Sequence, residues 1–302
     1  MLNRSPIFVN GFQRGGTNIL VNLIASHPEV ALLRTETHEV FYGRNSEHFR
    51  KWLARLSSIP VLLAGGKEYF WPYYQSERKR LPKILMSYID GLFYVNKIAA
   101  SENRRGNSMS YPSPAGKRSV GEVGRARLLA KNVNGVVLTT DLLAEMYPDV
   151  TFIALMRDGF ALCEGFIRRG WSVERFGEMY ERIGQKMIHD AQRRANYHLV
   201  RFEDLILDPR TTLEKVYAAA GLDLSQVKMF RLQAKLSMDQ DGNRQYTFGV
   251  ENRQLRWFPA AELGTQFRRD VNDNQRARLT PSQKEKLTTL AQGTLSHFGY
   301  LS

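Results

Sequence analysis

Cysteine is nearly absent. Cys163 is the only one in 302 residues, so no disulfide can form within the chain and no cysteine-based zinc site can be built. Long apolar runs are missing too. No stretch approaches the ~18 apolar residues of a membrane-crossing helix. The run Ile7-Phe8-Val9 near the N-terminus is too short for a secretory signal core, which takes about 7–15 apolar residues. These absences lead to the expectation of a cytoplasmic protein without a membrane span. Repeats and low-complexity tracts are also lacking. Acidic residues are scarce beside basic ones, 30 Asp+Glu against 43 Lys+Arg, for a net charge of +13. That excess favours an anionic ligand, but does not choose between a phosphate-bearing cofactor, a polyanionic acceptor, nucleic acid and a membrane surface.

What is present is ordinary for a globular chain: 43% hydrophobic and 24% charged residues. We read residues 1–302 as one domain. Ile7-Phe8-Val9 is a short buried strand entering a glycine-containing turn. From Thr17 the apolar spacing becomes helical, and His27-Pro28 ends that helix. Strands are predicted at Val30–Leu33, Leu128–Ala130, Val150–Met156 and His198–Phe202. Helices are predicted from Thr139, Thr140 or Asp141 as N-cap to Met146, over Phe160–Arg169, Val173–Ala195 and Thr211–Ala220, with Gly221 stopping the last. Strands alternating with helices predict an α/β fold, a central parallel sheet flanked by helices. Residues 101–119 and 237–256 hold few core-forming side chains and read as mobile loops. Glu68–Tyr74 is dense in aromatics, which suits helix packing or acceptor stacking.

The strongest local signal is the strand–loop–helix unit from Ile7 to Asn18. A glycine-rich turn entering a helix directs several backbone N–H groups at one point and forms an anion site. Gly15 and Gly16 allow close approach, Arg14 adds a charged fork, and Thr17 and Asn18 add side-chain donors. An ATPase loop needs a lysine here and an aspartate ending a nearby strand to hold Mg²⁺. This loop has no lysine, and Val150–Met156 runs into Arg157. A kinase or NTPase is therefore the weaker alternative, as is a non-catalytic polyanion-binding protein. No metal site is expected.

In three elements the chain resembles the sulfotransferases that use 3′-phosphoadenosine-5′-phosphosulfate (PAPS). The first is Gly11-Phe12-Gln13-Arg14-Gly15-Gly16-Thr17-Asn18, with His27-Pro28 following. The second is the apolar strand ending in Arg157-Asp158-Gly159. The third is Val200-Arg201-Phe202-Glu203-Asp204-Leu205, then Asp208-Pro209. Arg157-Asp158-Gly159 and Glu36-Thr37 look most like the Golgi-type branch, which includes tyrosylprotein and glycan sulfotransferases. The resemblance implies a P-loop NTPase-like sulfotransferase fold. It implies that Arg14, Gly15, Gly16, Thr17 and Asn18 hold the 5′-phosphosulfate, with Arg157 at the 3′-phosphate. Arg169 and Phe202 are carried over as further cofactor-binding residues. The family serine on the helix after the arginine is Gly165 here, and Gly15 and Asn18 replace the usual serine and threonine. Glu36 matches the family's general base, with His38 as runner-up, and Lys131 matches a lysine that approaches the transferring sulfonate. Taken alone, Glu36 and Lys131 would read as solvated charges. The implied reaction is in-line transfer to an acceptor hydroxyl on a glycan, peptidyl tyrosine or small molecule, with an acidic acceptor favoured by the charge and no nucleic acid involved. A sheet-level argument agrees: Arg14, Glu36, Lys131 and Arg157 each come shortly after a predicted strand, and in a parallel sheet those ends share one edge.

Overall fold

The computed structural model describes residues 1–33, 36, 37, 40, 82–100, 107–108, 111–112, 118–238, 244–248 and 254–301. At its centre is a five-stranded sheet built from β1 (Ile7–Gly11), β2 (Val30–Leu32), β5 (Arg127–Val133), β6 (Thr151–Met156) and β7 (Tyr197–Arg201). Their order is β2-β5-β1-β6-β7, and every pairing is parallel. β1 is central, with Gly11 level with Val133 on one side and Leu155 on the other. This matches the α/β architecture expected from the sequence.

Strand periodicity divides the core between two faces. Phe8, Phe152, Ala154 and Met156 point into one apolar layer, and Ile7, Val9, Ile153 and Leu155 into the other. The first layer packs under α2 (Lys83–Ala99), α4 (Thr140–Met146), α5 (Gly159–Ile167) and α6 (Val173–Arg193), which follow the short α3 (Val120–Arg125) or flank it. The second layer packs under α1 (Thr17–Ile24), α7 (Phe202–Leu207) and α8 (Pro209–Ala219). α6 buries Phe176, Tyr180, Ile183 and Met187 at helical spacing and opens on Ser172, whose hydroxyl accepts from the Arg175 N–H at 3.2 Å. The short α9 (Val271–Arg276), α10 (Pro281–Leu290) and α11 (Gln292–His297) complete the chain. No helix among the described residues is long and apolar enough to cross a membrane.

Several expectations need correction. Residues 237–256 read as a loop, yet β8 (Met229–Met238), β9 (Arg244–Phe248) and β10 (Gln254–Pro259) form an antiparallel sheet of order β10-β8-β9. β8 alternates apolar and polar residues from Phe230 to Met238, the period of a strand, and Phe230, Leu232 and Phe258 are buried in the second apolar layer. Within 101–119, Asn107–Ser108 (β3) pairs with Tyr111–Pro112 (β4). Glu68–Tyr74 lies outside the described residues. Thr139 is the N-cap of α4, as one expectation had it, but its side chain makes no cap hydrogen bond. Thr139 and Thr140 donate to the Val136 and Val137 carbonyls, both at 2.7 Å, and Asp141 pairs with Lys186 at 3.1 Å. β7 ends one residue earlier than expected, so Phe202 begins a helix.

Candidate active site

Three strand exits meet at the carboxyl edge of the sheet, where the strand order reverses around β1 and where ligands of open α/β sheets bind. The β1 exit is a tight turn in which the Gly15 N–H donates to the Phe12 carbonyl at 3.0 Å. Gly16 has φ 88°, and a Cβ there would come within 2.3 Å of the Phe202 ring. Only glycine satisfies both the dihedral and the space. Arg14 is exposed and takes φ 67° without being glycine. Among the described residues, no acceptor takes the N–H groups of Gly16, Thr17 and Asn18. They open at the positive end of α1 and form the cradle expected for a phosphate or phosphosulfate. The residues present therefore fit such a group.

The β5 exit supplies Lys131. It lies within the strand rather than after it, paired with Val9, so its side chain rises on the α1 face. Its ammonium is 2.6 Å from Glu36 Oε1 and donates to Asn18 Oδ1. The Thr37 hydroxyl donates to the Lys131 carbonyl at 3.0 Å, tying the segment after β2 to β5. The Lys131 and Glu36 side chains keep 18% and 25% exposure, enough for the pair to face a substrate.

The β6 exit supplies Arg157, which is only 6% exposed. Its guanidinium donates to the Arg14 carbonyl at 2.6 Å, to Asn272 Oδ1 at 2.8 Å and to Gln275 Oε1. It lies over the Phe202 ring, 4.7 Å from the centroid. Burial lowers its pKa from the usual guanidinium value, opposed by Glu203 and Asp158. Glu203 accepts from the Asp158 N–H at 3.0 Å, from Asn272 Nδ2 at 2.5 Å and from the Tyr300 hydroxyl at 2.7 Å. The Asp158 carboxylate caps α5 through the Phe160 N–H at 2.8 Å and pairs with Arg276 at 3.1 Å. α9 is thus fastened over Arg157.

The structure brings Arg14, Gly15, Gly16, Thr17, Asn18, Glu36, Lys131 and Arg157 to one edge. Phe202 is also there, but as a buried wedge between Gly16 and Arg157. α5 ends at Ile167, and Arg169 sits exposed in the following turn. His38 lies outside the described residues. A Cβ at Gly165 would come within 3.7 Å of Gln275 Nε2, so Gln275 occupies the space beside the missing serine. Asn134, Asn272 and Gln275 carry no motif in the sequence and emerge only from the folded contacts. Among the described residues, no His, Cys, Asp or Glu group could hold a metal ion.

Residues 6–226 match the profile of the Sulfotransferase family. No curated protein matches the chain. Among solved structures, the chain is similar to the sulfotransferase domain of the Synechococcus PCC 7002 olefin synthase, at 15% identity over 96% of this chain and 94% of that one, with a TM-score of 0.48. A sulfotransferase from Mycobacterium tuberculosis H37Rv matches at 16% identity over 74% of this chain and 68% of that one, with a TM-score of 0.43. One from Alicyclobacillus acidocaldarius matches at 12% identity over 99% and 95%, also with a TM-score of 0.43.

Proposed function

The chain belongs to the sulfotransferase family, and on that premise we propose that it moves a sulfuryl group from PAPS to an acceptor hydroxyl, with Glu36 as general base. The observation that carries this reading is the contact of Lys131 with both Glu36 and Asn18 beside the open N–H groups of the β1 exit. A cation, a carboxylate and an anion cradle stand within one side-chain length of each other.

When bound, the donor supplies a sulfuryl group already joined to a good leaving phosphate. The N–H groups of Gly16, Thr17 and Asn18, with Arg14, hold the anionic end and stabilise charge that grows on its oxygens. Loss of one such donor typically costs about 10²–10³ in rate. Glu36 receives the acceptor proton, help worth about 10²–10⁴. Lys131 pairs with Glu36 and offers its ammonium to the sulfonate. Arg157 holds the 3′-phosphate, with Asn272 and Gln275 giving up part of its guanidinium. The acceptor is a glycan, peptidyl tyrosine or small-molecule hydroxyl.

Calorimetric titration tests the donor reading. Adenosine 3′,5′-bisphosphate should bind at least about tenfold more tightly than adenosine 5′-phosphate without Mg²⁺, because charge-assisted hydrogen bonds to the extra phosphate contribute about 1.5–3 kcal/mol. Equal affinities, or binding that requires Mg²⁺, would overturn it.

A further inference from the structure

Asn134 follows β5 directly and has φ 53°. The register sets Val133 beside Gly11, so the exits of β5 and β1 are neighbours. From there the Asn134 side-chain carbonyl accepts the Gln13 N–H at 3.0 Å. Gln13 precedes Arg14, whose left-handed φ of 67° is strained for a non-glycine residue and persists only where surrounding contacts impose it. On the other side, Arg157 grips the Arg14 carbonyl at 2.6 Å. Arg14 is therefore flanked by two held peptides, Phe12–Gln13 on one side and Arg14–Gly15 on the other, gripped by residues from two different strand exits.

We propose that Asn134 is a positioning residue for the anion-binding turn. By fixing the Phe12–Gln13 peptide, while Arg157 fixes Arg14–Gly15, it anchors the start of the turn and aims the following N–H groups at one point. This rests on the reading given under the proposed function. Asparagine suits the position twice: it tolerates a left-handed backbone better than most residues, and its short amide reaches one strand across. The same contact links the β1 turn to the strand that carries Lys131, so the cradle and the ammonium keep a fixed relation.

Asn134→Gly separates the two properties, because glycine accepts the left-handed backbone and removes only the side-chain acceptor. In the full chain, Asn134→Gly should weaken adenosine 3′,5′-bisphosphate binding about three- to tenfold, the worth of one hydrogen bond, with an unchanged melting temperature without ligand. Exchange of the Gln13 amide, followed by NMR, should become faster in Asn134→Gly and stay slow in Asn134→Asp, which keeps an acceptor oxygen. Wild-type nucleotide affinity and unchanged Gln13 exchange in Asn134→Gly would overturn the proposal. A wild-type protein that binds no adenosine 3′,5′-bisphosphate would sink the donor reading instead, and the Gln13 exchange rates would then decide the positioning role alone.

Discussion

Replacing Glu36 by glutamine keeps a carbonyl near Lys131 while removing the group that takes up a proton. Turnover should fall by about 10²–10⁴, the usual contribution of a general base, while adenosine 3′,5′-bisphosphate binding stays within about threefold, since no hydrogen bond to the nucleotide is removed. Near-normal turnover would remove Glu36 from the mechanism and direct attention to His38. His27 makes a second prediction at this scale. Its Nδ1 accepts from the Glu29 N–H and its Nε2 faces the Asp223 carbonyl, both at 3.2 Å, which requires a neutral ring with the proton on Nε2. Burial lowers its pKa below the ordinary 6.5. The unfolded chain therefore takes up the proton first, so His27's contribution is complete above pH 6.5 and is lost as the pH falls below it. Urea melts between pH 7 and 5 should show a steeper loss of stability for the wild type than for His27→Gln, and parallel curves would contradict this. That Arg14, Glu36, Lys131 and Arg157 gather at one sheet edge was legible in the sequence because each lies at or near the end of a strand, although Lys131 falls inside β5. Asn134, Asn272 and Gln275 were not, since each acts through a contact far away in the chain.

Helix α6 shows what is decided at the scale of an element. Its amphipathic spacing is plain in the sequence, but its glycines have a meaning that only the packing discloses. A Cβ at Gly184 would lie 2.3 Å from Thr294, and one at Gly177 would lie 2.8 Å from Leu290, so α10 and α11 rest directly on the α6 backbone. Gly184→Ala should destabilise the protein by about 1–3 kcal/mol through overpacking, despite the better helix propensity of alanine. Gly91, in α2, has nothing within 4 Å of an added Cβ among the described residues. Gly91→Ala should stabilise by about 0.5–1 kcal/mol. Denaturant midpoints of the two variants should move in opposite directions, and a shared sign would refute the packing argument. The same contrast explains which strands were legible. β1 and β6 are covered on both faces and stand out as apolar runs, whereas β8 shows only the alternation of Phe230, Leu232, Ala234, Leu236 and Met238, a half-buried strand pattern that is weaker than a continuous run. The helix expected through Arg169 stops at Ile167, where Trp171 N–H turns back to the Phe166 carbonyl at 3.2 Å.

The net charge of +13 belongs to the whole molecule, and it can serve two kinds of binding that salt distinguishes. Many cations are already answered locally: Arg276 by Asp158, Arg278 and Arg168 by Glu164, and Arg194 and Lys186 by Asp141. A diffuse polyanion surface making 6–10 contacts would lose about 10³–10⁵ in affinity between 50 and 200 mM salt, by the counterion release seen with nucleic acids. The candidate site instead relies on fixed N–H groups and on Arg157, which is 6% exposed and so is screened far less than surface charges. Adenosine 3′,5′-bisphosphate affinity should fall no more than about tenfold over that range, because few screened contacts contribute. At a hundredfold excess over Kd the ligand should stabilise the fold by about 2.7 kcal/mol, a rise in Tm of roughly 4–6 °C for a chain of this size. Heparin should neither reproduce that shift at 200 mM salt nor abolish it. A Tm rise that heparin matches, and that vanishes with salt in the same way, would place the binding in the overall charge rather than in the turn between β1 and α1.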